Sequence, residues 1–248
     1  MTSVYGPATY GDRIAGHYDD WYHPGAMPAA AAARFLADLA RSGPALELGI
    51  GTGRLALPLR EAGVPVHGID ASEEMIAKLR AKPGGADLPV TIGSFADFDL
   101  GQKFSLVFVA FNTFWALLTQ EEQLSCLRAV SRHLTDDGLF VMEAFLPDVS
   151  RFDRGQRTQT NWIKTDTVML ETTRHDPVKQ RVDTCYVLLE DGKPVQTFPV
   201  QLRYVYISEL SLMAQMAGLT LRERWSDWGR EPFGPTSAKH ISVWGLAR

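Results

Sequence analysis

The run Glu47-Leu48-Gly49-Ile50-Gly51-Thr52-Gly53 stands between a short apolar stretch, Ala45 to Leu48, and a helix-forming stretch from Arg54 to Ala62. Glycines at such a junction let the backbone turn sharply and let a ligand approach with no Cβ in the way. A helix that follows points its unpaired N–H groups at that ligand. Asp70, 21 residues after Gly49, closes the next apolar stretch, Val64 to Ile69. A carboxylate at that point can accept both hydroxyls of a ribose. Nicotinamide dinucleotide sites share this layout but space their glycines G-x-G-x-x-G. Gly49 and Gly51 fit; the third position is Arg54, and the glycine stands at 53. A nicotinamide-dependent oxidoreductase is thus an alternative that position 54 argues against. A non-catalytic cofactor-binding module is a third reading, since fold alone does not establish function.

The elements around this turn alternate. Helical stretches at 29–40 (entered through Pro28), 54–62, 73–82 (capped by Ser72) and 120–134 separate apolar runs at 45–48, 64–69, 89–92, 104–111 and 139–144. The run Phe104 to Phe111 is nearly continuous, as expected of a central parallel strand buried on both faces. This order predicts a doubly wound α/β layer. The pattern changes over 160–206, where apolar and polar residues alternate and Asp191-Gly192 signals a hairpin. An antiparallel meander inserted into the main fold is expected there. Ser208 to Ala217 returns to helix with Ser208 as cap, and Leu219 to Trp225 and His240 to Leu246 close the sheet. Four segments follow: an N-terminal helical lid (1–28), a cofactor-binding α/β core (29–146), an antiparallel cap (147–206) and a C-terminal helix with closing strands (207–248).

Glu47-x-Gly49-x-Gly51-x-Gly53, with Gly68-Ile69-Asp70-Ala71-Ser72 after it, resembles the first two motifs of class I S-adenosylmethionine-dependent methyltransferases. The resemblance spans roughly residues 10–248 and is strongest for small-molecule enzymes acting on amino sugars and glycine. It implies a Rossmann-like seven-stranded sheet with an antiparallel last strand. It also implies S-adenosylmethionine as cofactor and S-adenosylhomocysteine as product. By resemblance, Glu47, Gly49, Gly51 and Gly53 pass under the methionine part, Asp70 holds the ribose, and Ala71 and Met75 border the adenine. Ser94, Phe95 and Ala96 lie at the adenine edge, where the family commonly has an acidic residue in place of Ser94. Ala110 to Thr113, with Phe111, matches the stretch that offers a carbonyl to the cofactor's amino group. Tyr10, Tyr18 and Tyr22, spaced eight and four apart, fall near one face of a continuous helix. By resemblance that helix closes over the cofactor.

A sulfonium already activates its methyl group, so alignment and exclusion of water supply most of the rate. No nucleophilic triad or metal-ligand set is needed, and no metal is expected. Should the acceptor arrive protonated, His17 or His240 is the candidate base or orienting group. His23 also flanks the N-terminal aromatic segment. On the acceptor side Asn112, Phe114 and Trp115 follow the fourth strand, and Trp162, Tyr204 and Tyr206 belong to the meander. Aromatic walls suit a flat or cationic acceptor, and Arg203 could bind an acidic group. The resemblance puts nitrogen first as acceptor atom, with oxygen and carbon as alternatives, in secondary metabolism.

Composition narrows the partners. Lys+Arg is 25 against Asp+Glu 29, a net charge of −4, with no strong cationic cluster, which disfavours nucleic acid. Base-flipping enzymes would carry an Asn/Asp-Pro-Pro-aromatic run where this chain has Asn112-Thr113-Phe114. Charges at Asp12, Arg13, Asp19 and Asp20 exclude a signal-peptide core, and no apolar run nears the roughly 20 residues a bilayer needs. Cys126 and Cys185 form no CxxC pair. A cytoplasmic enzyme with a small-molecule substrate is expected, and a homodimer is left open.

Overall fold

The computed structural model describes residues 5–22 and 29–247. His23 and the Pro28 entry to the first long helix lie outside the described residues. The chain opens with two short helices, α1 (Thr9–Ile14) and α2 (Tyr18–Trp21), then α3 (Ala30–Ala40) and β1 (Ala45–Leu48). Next come α4 (Ala56–Glu61), β2 (Val66–Asp70), α5 (Glu73–Arg80), β3 (Val90–Ile92) and β4 (Phe104–Val109). Then follow α6 (Gln120–His133), β5 (Leu134–Phe145), β6 (Gln156–Ile163), β7 (Thr167–Asp176), β8 (Arg181–Glu190) and β9 (Gln196–Arg203). The chain ends with α7 (Ile207–Met216), β10 (Leu219–Trp225) and β11 (Lys239–Leu246).

The main sheet has seven strands in the order β10-β11-β5-β4-β1-β2-β3. β1 to β5 run parallel, while β11 is antiparallel to both β5 and β10. α3 and α4 pack on one face through Phe35, Leu36 and Leu59, and α6 and α7 cover the other through Leu127, Val130, Leu210 and Met213. The expected Rossmann-like sheet with its antiparallel last strand is thus present. β6 to β9 form a separate four-stranded antiparallel sheet, the expected insertion. Among the described residues no helix is long and apolar enough to cross a membrane.

Five local expectations need correction. The Tyr10–Tyr22 stretch is two helices broken at 15–17, not one. The helix expected from Arg54 begins at Ala56. The fifth strand, expected over 139–144, begins at Leu134 and contains Asp136-Asp137-Gly138. Phe104 pairs with Leu134 and Leu106 with Leu139, so the intervening residues bulge out of the ladder. The meander has an additional strand at 156–163, while the expected hairpin at Asp191-Gly192 is present, joining β8 to β9 with Gly192 at φ +70°. α7 starts at Ile207, with Tyr206 and not Ser208 at its N-cap. Ser72 does cap α5, its hydroxyl accepting from Met75 N at 3.1 Å.

Candidate active site

Two parallel strands and the loops that leave them build the first half of the site. After β1 the backbone N–H groups of Gly49 and Ile50 both donate to Ile69 O, at 2.8 and 3.0 Å. Gly51 N then donates to Asp70 Oδ2 at 2.7 Å, and Ser72 N to Oδ1 at 2.9 Å. These bonds fold the glycine turn against the end of β2 and fix the Asp70 carboxylate beside it. Gly49 stands at φ +73°, and a Cβ there would run into the Thr113 methyl. Gly51 stands at φ +54° and faces open space. Burial raises the Asp70 pKa, opposed by the N–H bonds from Ser72 and Gly51.

Glu47 lies beneath this turn, 6% exposed, and its Oε2 has no hydrogen-bond partner among the described residues. Burial pushes its pKa up to about 8; Arg54 opposes the rise and Asp70 adds to it. At neutral pH its carboxyl is therefore largely protonated.

A cavity of about 220 Å³ opens beside the turn. Gly49, Gly51, Asp70, Ala71 and Met75 line it, with Ser94 and Phe95 at one side and Tyr10 and Tyr18 at another. Nine of the expected cofactor residues are thereby brought together. Glu47, Gly53, Tyr22, Ala96 and Phe111 do not line the cavity and stand behind or beside its wall. Tyr22 hydroxyl lies 3.4 Å from that of Tyr10, and its ring is 4.8 Å from the Tyr18 ring. Desolvation raises Tyr10 well above its usual pKa and Tyr18 to about 12, so both keep their hydroxyl protons. A carboxylate for two hydroxyls, a glycine backbone open at Gly51 and apolar side chains at Met75, Phe95 and Leu117 fit a nucleoside joined to a polar tail.

The turn after β4 forms the second half. Phe111 and Asn112 are both left-handed, at φ +52° and +65°. Non-glycine residues hold that conformation only where neighbours fix it. Here Phe111 N donates to Glu143 Oε2 at 3.0 Å, and Asn112 Oδ1 accepts from Phe145 N at 2.7 Å. Glu143 Oε1 also accepts from Trp228 Nε1 at 3.0 Å and from Lys239 Nζ at 2.8 Å. These residues bound a second cavity of about 410 Å³, with Arg54 and Phe145 on its wall. Tyr22 packs edge-on against Phe111 at 5.1 Å, and the Arg54 guanidinium lies 5.7 Å from the same ring. Phe111 and Tyr22 thus stand between the two cavities.

Several expected acceptor-side residues are elsewhere. Phe114 and Trp115 are wholly buried in the core. Arg203 is 8% exposed and committed to Glu209 at 2.7 Å and Gln123 at 2.6 Å, tying β9 to α7 and α6. Tyr204, 2% exposed, pairs with His175 Nε2 at 2.8 Å, and Tyr206 stands exposed ahead of α7. Trp162 packs in the cluster between cap and N-terminal helices, with Lys164 Nζ 5.0 Å from its ring. Neither histidine lines a cavity. His17 stacks on Trp21 and reaches Gln196 Oε1 at 3.2 Å. His240 is 1% exposed, and burial, with Arg224 adding to it, holds its pKa down to about 3. Of that set only Asn112 borders a cavity described above. The residues missed by sequence reasoning are Arg54, Glu143, Trp228 and Lys239. Arg54 was visible only as the misfit in the dinucleotide pattern, and the other three sit in ordinary strand or loop contexts.

The comparisons with known proteins agree with this geometry. Residues 45–138, from β1 into the bulge of β5, match a family described as "Methyltransferase domain". The CcbJ methyltransferase from Streptomyces caelestis is 42% identical, with a TM-score of 0.92 over 98% of this chain and 100% of that one. The cypemycin N-terminal methyltransferase of a Streptomyces species is 28% identical over 80% of this chain and 81% of its own length. A dTDP-3-amino-3,6-dideoxy-alpha-D-glucopyranose N,N-dimethyltransferase of Streptomyces fradiae is 32% identical over 55% of this chain and 54% of its own. The fold and the site define an enzyme of group transfer with a nucleoside-bearing cofactor. The chain belongs to the class I S-adenosylmethionine-dependent methyltransferases, which sets aside the oxidoreductase and non-catalytic readings.

Proposed function

We propose that this enzyme transfers the cofactor's methyl group to the nitrogen of a small-molecule amine in natural-product biosynthesis. The observation that carries the reading is the pair of cavities on either side of Phe111 and Tyr22. In this reading the first holds S-adenosylmethionine. Asp70 accepts the ribose hydroxyls, Gly49 and Gly51 give the methionine part room, and Met75, Ala71, Ser94 and Phe95 border the adenine. The second cavity seats the acceptor against the faces of Phe111, Phe145 and Trp228.

Nitrogen is favoured by two supports. Two of the relatives described above carry amine methylation in their names. The aromatic walls of the second cavity also suit a group that becomes cationic as the C–N bond forms and the C–S bond breaks. The chain's own task is alignment and dryness, worth many orders of magnitude when the reacting atoms are held in line. Tyr10 and Tyr18, which keep their own hydroxyl protons, can donate or accept a hydrogen bond but do not serve as the base. The amine's surplus proton leaves to solvent, since neither His17 nor His240 reaches either cavity.

The test is a methyl-transfer assay with S-adenosylmethionine and a panel of amines, phenols and activated carbon acids, read by mass spectrometry. The expected products carry the added methyl on nitrogen and only among the amines. Turnover confined to phenols or carbon acids would overturn the choice of acceptor atom.

A further inference from the structure

Two carboxylates of the N-terminal helices reach the loops that build the first cavity, and neither has a part in the chemistry so far. Asp12, on α1, accepts from Ser72 Oγ at 2.7 Å. Ser72 is the cap of α5 and its N–H holds Asp70, so α1 is two hydrogen bonds from the carboxylate at the cavity wall. Gly11 permits this contact, since a Cβ there would lie 2.5 Å from Ser72 Cβ. Asp19, on α2, accepts from Thr52 Oγ1 at 2.7 Å, between Gly51 and Gly53 of the glycine turn. Lys82 Nζ joins them, 2.8 Å from Asp19 and 2.9 Å from Thr52 O. The Asp19–Lys82 pair is half exposed and by itself worth little. The Thr52 and Ser72 hydroxyls belong to residues 1% exposed, where a hydrogen bond counts for more.

We infer that Asp12 and Asp19 are positioning residues. They latch Tyr10, Tyr18 and Tyr22 onto the loop after β2 and the loop after β1. The latches form only when both loops hold the geometry that bounds the cavity. Closing the tyrosines over the cavity and shaping its walls are then one event, and a bound cofactor leaves only after both carboxylates let go. This rests on the cofactor's placement in the first cavity and is independent of the acceptor.

The experiment measures the dissociation rate of S-adenosylhomocysteine from the full chain by surface plasmon resonance. Asp12→Ala and Asp19→Ala should each speed release about tenfold, and the double variant about a hundredfold. Asp12→Asn, which keeps an acceptor for Ser72, should restore most of the lost residence time. Asp20→Ala removes the same charge from the same helix and should leave the rate unchanged. A double variant that folds and releases at the parental rate overturns the inference, as does Asp12→Asn behaving like Asp12→Ala. Should a helix variant fail to fold, Thr52→Val decides from outside the helices by removing the hydroxyl whose hydrogen bond Asp19 accepts; about tenfold faster release supports the latch and an unchanged rate overturns it. Asp70→Ala separates the premises. If it leaves affinity intact, the cofactor's placement fails; if it weakens affinity while the latch variants do nothing, only the latch fails.

Discussion

The two cavities on either side of Phe111 are built in different ways. In the first, backbone sets the turn against which the lining side chains stand. Gly49, Ile50 and Gly51 spend their N–H groups on β2 and its Asp70, and positive φ angles set the shape of the turn. The second is made by side chains that hold one another. A single carboxylate, Glu143, accepts from Phe111 N, Trp228 Nε1 and Lys239 Nζ, and an amide, Asn112, accepts from Phe145 N. A backbone-built site is fixed by where glycine stands and serves one ligand chemistry. A side-chain-built site can be re-lined by substitution while the strands stay put. The first arrangement suits a cofactor shared across a family; the second suits acceptors that differ between members. Perturbing the first should remove cofactor binding whatever the acceptor, and perturbing the second should spare the cofactor.

The largest effect is expected beneath the glycine turn, at Glu47. Its pKa stands near 8 in the folded protein, chiefly through burial, against an ordinary value of 4.5. Between those two values the folded chain keeps a proton that the unfolded chain has lost. Stability therefore falls as pH rises through the window, by up to about 1.4 kcal/mol per pH unit. Glu47→Gln removes that dependence. Urea unfolding of parent and variant at pH 5, 6.5 and 8 should show the variant gaining on the parent at each step. A constant difference across the three would mean that Glu47 titrates as an ordinary carboxylate.

Gly49→Ala comes next. The new Cβ would meet Thr113 at a left-handed position, a strain of about 1–3 kcal/mol. Stability should drop by that order, and calorimetric titration with S-adenosylmethionine should show a loss of affinity of at least tenfold. If affinity survives in the folded variant, the backbone does not shape the cofactor's seat and the contrast between the cavities collapses.

The contrast also explains what the sequence disclosed. Backbone demands leave glycine and a cap serine in the sequence, so the turn at 49–53, Asp70 and the Ser72 cap were legible from residue type and spacing. Side-chain convergence leaves no such mark. Glu143 and Lys239 lie within strands, Trp228 in a loop, and they meet Phe111 only because β4, β5 and β11 are neighbours in the sheet. That adjacency is a property of topology, not of any local window. The same limit applies to the residues expected on the acceptor side. Phe114 and Trp115 follow β4 as expected, but the helical turn there rotates both into the core. Arg203 carries a charge that an interior pair with Glu209 consumes. The break at 15–17 was hidden because Tyr10, Tyr18 and Tyr22 keep a helical spacing across it, and their rings still gather.

The smallest effect on stability, and the sharpest separation of the cavities, is expected from Glu143→Gln. Glutamine keeps one oxygen for the Trp228 indole or the Phe111 N–H. It loses the charge that holds Lys239, whose side chain is 41% exposed and can turn to water. The net cost should be about 1 kcal/mol or less. S-adenosylmethionine affinity should stay at the parental value, since no atom of Glu143 borders the first cavity. The acceptor side should change, because the left-handed Phe111–Asn112 turn loses a charged anchor and its ring is freed against Tyr22. The KM for a turned-over amine should rise several-fold with the cofactor KM fixed, and Lys239→Met should follow the same pattern through the other end of the pair. A fall in cofactor affinity equal to the change in acceptor KM would show that the turn after β4 belongs to both cavities. The site would then be a single unit in which acceptor specificity cannot vary without cost to cofactor binding.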